Sequence, residues 1–183
     1  MIHLPQEVIL RPFDFSDVPA LVKAVQENQP FLVQFLPWAG ADYGSLQARQ
    51  WVQASLEQWA QNLGFQWGLF RGDVVLGTVG FHPIQWDIRS ASIGYWLVES
   101  AGRRGLMTAA AAELLAWGFN RYQLREIWIE ARDTNRPSQR VAERLGFEQR
   151  GQRSDGEFTL LRYRMLADVW FHGRMGSYFV SPG

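Results

Sequence analysis

Between a strand-like run ending in Tyr95-Trp96-Leu97 and an alanine-rich stretch lies Ser100-Ala101-Gly102-Arg103-Arg104-Gly105-Leu106-Met107-Thr108. Glycines let a backbone approach a ligand closely, and the first amides of a helix lack internal partners, so such a turn can offer N–H groups to a diphosphate. Arg103 and Arg104 add positive charge. The Gly-x-x-Gly spacing alone also fits an ordinary strand-to-helix turn. No Lys-Ser/Thr pair follows Gly105, and the preceding strand belongs to a hairpin run, which disfavours a triphosphate loop or a dinucleotide fingerprint. Elsewhere, Asn135-Arg136-Pro137-Ser138 stands at the start of a second helix-like stretch.

The elements that must position these groups alternate in rhythm. Val8 to Arg11 reads as a short strand, and Asp14 or Ser16 caps a helix to about Val25 with Val18, Leu21, Val22 and Val25 on one face. An aromatic loop with Phe31, Phe35, Trp38 and Tyr43 follows, and Ser45 opens a second helix that Gly64 ends. Strands Gln66 to Arg71, Val74 to His82 and Arg89 to Leu97 form an antiparallel meander, the first two joined by Gly72-Asp73. A helix from about Leu106 to Asn120, a strand Arg125 to Ala131, a helix from about Pro137 to Leu145, and strands Phe147 to Arg153 and Glu157 to Met165 complete the pattern. The expectation is an α/β (α+β) fold: a mixed, mostly antiparallel twisted sheet flanked by about four helices.

Composition bounds the function. At 183 residues, with no repeat or Pro/Gly-rich linker, residues 1–183 read as a single domain with 167–183 as a C-terminal tail. Lys plus Arg (18) balance Asp plus Glu (18), so no long-range field draws nucleic acid or an anionic membrane. The absence of cysteine excludes disulfides, thiolate metal sites and a thiol nucleophile, and three scattered histidines propose no metal site. Met1 to Arg11 lacks a signal-peptide pattern and no long apolar run occurs, which places the chain in the cytoplasm.

The Ser100–Thr108 segment resembles motif A of the GNAT acetyltransferases, Gln/Arg-x-x-Gly-x-Gly/Ala, with Ser100 for its first residue, Arg103 for the first glycine and Gly105 matching the last. Two of those positions depart from the pattern. The flanks Ile93-Gly94-Tyr95-Trp96-Leu97, Glu99-Ser100 and Gly105-Leu106-Met107-Thr108 look like the RimJ/RimL branch. So does Asn135-Arg136-Pro137-Ser138 with Val141-Ala142 and Arg144-Leu145-Gly146-Phe147, which resembles Asn-x-x-Ser-x-x-Val-x-x-x-x-Gly-Phe. The likeness spans roughly residues 8 to 166.

That resemblance implies an acetyl-CoA-dependent N-acetyltransferase in which a primary amine attacks the thioester directly, with no metal. Cofactor-binding positions are Trp96, Leu97, Val98, Gly102, Arg103, Arg104, Gly105, Leu106, Met107, Thr108, Asn135 and Ser138. Ser138 is expected to assist the leaving thiolate, and Glu157, by its distance from Ser138, to act as general base, with Glu130 and Glu99 as competitors. Backbone amides of Trp96 to Val98 are the oxyanion candidates. Phe35, Trp38 and Phe81 are expected at the acceptor entrance, and Tyr163 reads as core and His82 as a strand-end surface residue. An α-amine with pKa near ~8 is about one-tenth neutral at pH 7 and needs only a weak base, whereas a lysine amine near ~10.4 needs strong help. An N-terminal α-amine of a protein or peptide is therefore the expected acceptor; a small-molecule amine, a non-catalytic acyl-CoA-binding module and a nucleotide-binding protein are the alternatives. The aromatic tail, with Trp170-Phe171 and Tyr178-Phe179, suggests docking on its own domain or a homodimer interface.

Overall fold

The structure, a computed structural model, describes residues 1–178, with side chains to 173. Its elements run β1 (Ile2–Leu4), β2 (Val8–Arg11), α1 (Val18–Glu27), α2 (Gln29–Leu32), α3 (Ser45–Ala60), β3 (Phe65–Arg71), β4 (Val74–Phe81), β5 (Ser90–Leu97), α4 (Leu106–Arg121), β6 (Glu126–Arg132), α5 (Arg136–Arg144), β7 (Glu148–Ser154), β8 (Thr159–Leu166) and α6 (Ala167–Tyr178). The strands form one eight-stranded sheet in the order β1-β2-β3-β4-β5-β6-β8-β7. Every neighbouring pair is antiparallel except β5–β6, the two strands that the α4 crossover joins.

The mixed, mostly antiparallel sheet matches the pattern read from the sequence, and the differences have local causes. β1 pairs with β2 through Gln6 and Glu7, both left-handed (φ 64° and 58°), a turn without the glycine that usually announces it. Asp14 rather than Ser16 caps the first helical turn: its carboxylate accepts from the Ser16 amide (2.6 Å) while Asp17 accepts from the Asp14 amide (2.9 Å). Helix α3 ends before Gly64 because Asn62 takes the left-handed conformation (φ 54°), and the Asn62 and Leu63 amides return to the Trp59 and Gln58 carbonyls (3.2 and 2.9 Å). Instead of about four α-helices the described residues hold six, the additions being short α2 and α6. Residues expected as a tail thus begin as a helix, whose Trp170 and Phe171 rings lie 6.2 and 6.3 Å from that of Phe119. The Tyr178-Phe179 pair lies outside the described side chains.

Strand alternation sorts the sheet into two faces. Phe81, Ile127 and Leu124 crowd Gly118 of α4, and Phe65 and Trp67 set their rings 4.7 Å from Trp117. On the opposite face Phe13 and Phe70 cover Gly68, and Phe13 meets Trp51 of α3. In β6, buried Ile127 and Ile129 alternate with the partly exposed Glu126, Trp128 and Glu130. Those three share the second face, where Arg162 and Arg164 of β8 lie over the Trp128 ring.

Gly77 of β4 packs its bare backbone against β5: an added methyl would overlap the Trp96 carbonyl and stand 2.9 Å from the Leu97 Cα. Because those obstacles are backbone, Gly77→Ala is expected to destabilise the fold by about 1–3 kcal/mol in denaturant titrations.

Candidate active site

β5 and β6 pair over only four positions, from Ser90↔Glu126 to Ile93↔Ile129, yet β5 continues to Leu97 and β6 to Arg132. The sheet splits there. On the β4 side, the His82 amide donates to the Ser92 carbonyl (2.9 Å) and the Val98 amide to the Leu76 carbonyl (2.8 Å). In an antiparallel ladder hydrogen-bonded positions alternate, so Gly94 and Trp96 also turn their peptide groups to β4. Tyr95 and Leu97 therefore direct theirs into the split. This corrects the expectation for oxyanion donors: of Trp96, Leu97 and Val98, only the Leu97 amide faces the opening.

A cavity of about 570 Å³ opens at the split. Trp96, Leu97 and Val98 form one wall, Gly102, Arg103, Gly105, Leu106, Met107 and Thr108 the floor, and Asn135, Ser138, Arg140 and Arg144 the other wall. Gly105 is the N-cap of α4 in a left-handed conformation (φ 75°), and no side chain caps this helix. The amides of Leu106, Met107 and Thr108 thus lack helical partners where they meet the cavity. Every charged residue of its lining is an arginine: Arg103, Arg140 and Arg144. Unpaired helix-start amides with guanidinium groups suit a polyanion such as a diphosphate.

Helix α5 carries Ser138. Asn135 caps it, its side-chain oxygen accepting from the Ser138 amide (3.2 Å). Fully buried Gln139 ties the helix to the end of β6 by donating to the Arg132 and Asp133 carbonyls (3.0 and 2.8 Å) and accepting from Arg136. Gly146, left-handed at φ 81°, ends the helix, and the Phe147 amide returns to the Ala142 carbonyl (3.0 Å). Across the cavity, the Tyr95 hydroxyl lies 3.0 Å from Ser138 Oγ and donates to the Ser138 carbonyl at 3.1 Å. Burial pushes the Tyr95 phenol up to about 12, so it keeps its proton near neutrality. The arrangement holds a hydroxyl pair beside the peptide groups of the split, suited to a hydrogen bond onto a departing sulfur.

A family model described as "Acetyltransferase (GNAT) domain" matches residues 7–148. The chain belongs to the GNAT acetyltransferases. Over 176 residues it is 26% identical to the putative ribosomal N-acetyltransferase YdaF of Bacillus subtilis, covering 90% of this chain and 94% of YdaF. It is 28% identical over 143 residues to the ribosomal-protein-serine acetyltransferase of Escherichia coli, covering 78% of this chain and 80% of that one. The solved structure of RimL, the ribosomal L7/L12 alpha-N-protein acetyltransferase in complex with coenzyme A, superimposes with a TM-score of 0.83 at 27% identity, covering 90% and 96% of the two chains. This GNAT protein is an acetyl-CoA-dependent N-acetyltransferase of the RimJ/RimL-like branch.

Within this acetyltransferase, all the expected cofactor positions meet at the cavity except Arg104, whose carbonyl instead accepts from the Gln6 side chain (3.4 Å). Phe35 lines the cavity, but Phe81 is fully buried against α4, because its β4 position faces the core. Trp38 packs beside Trp96 (6.1 Å) and Tyr43 (5.5 Å) without lining it. Glu157 does not open β8: the Asp155 amide bonds the Phe158 carbonyl (2.9 Å) and the Glu157 amide bonds that of Asp155 (3.0 Å), leaving Glu157 exposed in the β7–β8 turn. That turn is latched to the cavity wall, since the Phe158 ring lies 3.5 Å under the Arg132 guanidinium, which donates to the Gln34 carbonyl (3.1 Å). Glu130 is paired with Arg153 and Arg162 (2.8 and 3.0 Å), and these pairings, Arg153's first, hold its carboxyl below the ordinary range. Glu99 lies exposed in a short turn away from the lining, and Tyr163 is core. Tyr95, Gln139, Arg140 and Arg144 went unread as site residues. Arg140 and Arg144, one helical turn apart, did carry a signal on α5.

Arg103 is itself left-handed (φ 63°), the conformation that favours the glycine it replaces in motif A. Arg103→Gly is expected to relieve that strain and leave the melting temperature unchanged or slightly raised, while losing a charge from the cavity lining and weakening acetyl-CoA binding several-fold in calorimetry. Arg103→Ala should weaken binding equally and keep the strain.

Proposed function

We propose that this enzyme acetylates the N-terminal α-amine of a protein or peptide. The observation that carries the reading is the split itself: peptide groups of Tyr95 and Leu97 face it, and Arg103, Arg140, Arg144 and the Ser138 hydroxyl line the cavity that opens there. Peptide groups of β5 pair with the amides of the cofactor arm, and the α4 amides hold the diphosphate. The Leu97 amide stabilises the oxyanion formed as nitrogen attacks the carbonyl carbon. Ser138, oriented by Tyr95 and the α5 cap, donates a hydrogen bond to the sulfur as the carbon–sulfur bond breaks. Glu157, exposed in the β7–β8 turn, receives the acceptor's ammonium before it loses its proton.

The acceptor class follows from charge. The second face of the sheet beside the split carries Arg153, Arg162 and Arg164 against Glu126 and Glu130, so a polycationic amine meets no excess of counter-charge. A single α-amine, already about one-tenth neutral at pH 7, needs none. The names of the relatives agree, two of them being described as acting on ribosomal proteins.

Thiol release is expected when acetyl-CoA is mixed with short peptides bearing free N-termini. It should be absent with the same peptides N-blocked but lysine-containing; turnover of the blocked set overturns the acceptor assignment. Ser138→Ala should lower kcat by about 10–100-fold, more than it weakens acetyl-CoA binding. Glu157→Gln should raise the KM for peptide more than it lowers kcat.

A further inference from the structure

His82 follows the last residue of β4 and extends the ladder by one bond to Ser92, which places its side chain on the same face as Gly94 and Trp96, opposite Tyr95. A methyl group on Gly94 would overlap His82 Nε2 and stand 3.1 and 3.2 Å from Cε1 and Cδ2. The imidazole thus rests on bare backbone at the first β5 position beyond the final Ile93↔Ile129 pair. Across the opening, the first β6 position beyond that pair is Glu130, on the same face and ion-paired to Arg153 of β7 and Arg162 of β8. The other side chains of β5 on this face, Ser90, Ser92 and Trp96, are uncharged, as is Gln66 of β3, whose amide lies against Gly80.

The cavity's helix-start amides and arginines belong to the α4 and α5 side, while residues around α2 close its end; with the cofactor held on that side, an amine reaches the carbonyl carbon through the split from the face of His82. We propose that His82 is the catalytic residue that takes the proton from the attacking amine. This rests on the acetyl-transfer reading and adds to it the proton's destination. The nitrogen lone pair forms the carbon–nitrogen bond and the carbonyl π electrons move to oxygen. The N–H proton passes to His82 Nε2 in the tautomer that carries hydrogen on Nδ1. The oxyanion then re-forms the carbonyl and the carbon–sulfur electron pair leaves on sulfur. Imidazolium faces the Glu130 carboxylate until its proton returns to solvent, and the thiolate takes up one proton from solvent. His82 is exposed at the strand end, as its sequence position predicts, and its contact with the sheet desolvates the imidazole enough to lower it below its ordinary 6.5, with Glu130 opposing, so the ring is neutral and able to accept at pH 7. Gly94 matters because a side chain there would push the ring off the opening.

The test is the pH profile of kcat/KM, measured in parallel with a short free-N-terminus peptide and with a small primary alkylamine, for the wild type, His82→Gln, Gly94→Ala and Glu157→Gln. The wild type should lose activity on an acid limb below pH 6.5. His82→Gln should abolish that limb and lower kcat by about 100-fold with acetyl-CoA affinity unchanged in calorimetry, and Gly94→Ala should lower kcat with the melting temperature retained. A His82→Gln enzyme within threefold of wild type with the limb intact overturns the proposal, as does a limb that disappears only in Glu157→Gln. Since any accepted amine reports the limb, loss of the free-N-terminus preference counts against the acceptor reading alone.

Discussion

Past Ile93 and Ile129 the parallel ladder ends while β5 runs on, so the Tyr95 and Leu97 peptide groups face a space that no strand of the described residues fills. Buried backbone donors and acceptors left without partners cost about 1–3 kcal/mol each, and a sheet interior is a poor place to leave them. The fold keeps them available because the flanking pieces are rigid. β4 holds the other edge of β5, Gln139 anchors α5 to the end of β6, and the Trp117 rings fix α4 to the sheet. A ligand that brings its own amides and a polyanionic end then completes hydrogen bonds that the protein alone does not make.

Charge divides the same region by face. The cavity has arginines and no acidic lining residue, whereas the second face sets arginines around Glu126 and Glu130 in near balance. The chain's zero formal charge conceals this arrangement. An electrostatic preference that acts within a few ångströms of one helix start has little effect at long range, which suits a protein that binds a nucleotide thioester but has no overall attraction for polyanions.

Much of the fold was legible because apolar periodicity and turn residues act locally: strand β2 and the Gly72-Asp73 hairpin stand where the pattern puts them. The misses share a cause. Asn62 ends α3 and Gln6-Glu7 turn a hairpin through left-handed conformations that non-glycine residues adopt only when the surroundings favour them. At the site, Gly105 and Ser138 were readable from motif spacing, since a helix start needs particular residues at fixed offsets. Tyr95 was not: its partner is 43 positions away, and only the sheet's geometry brings the two hydroxyls together. Phe81 misled because an aromatic at a strand end has the same letter whether it faces ligand or core. Arg103 shows the converse, a letter other than glycine on a backbone conformation that favours glycine.

Helix α4 spans 16 residues, about 24 Å, with its anion-facing amides at one end and Trp117 and Gly118 near the other. Gly118 admits Phe81 and Ile127 so closely that the helix rides almost on the sheet, and Trp117 is gripped by Trp59, Phe65, Trp67 and Tyr122. A rod clamped at its tail cannot tilt without dragging its tip. The ring packing near Tyr122 is thus a distant bearing for the start of α4, and a repacking there would be felt at Gly105 as misalignment rather than as a lost contact.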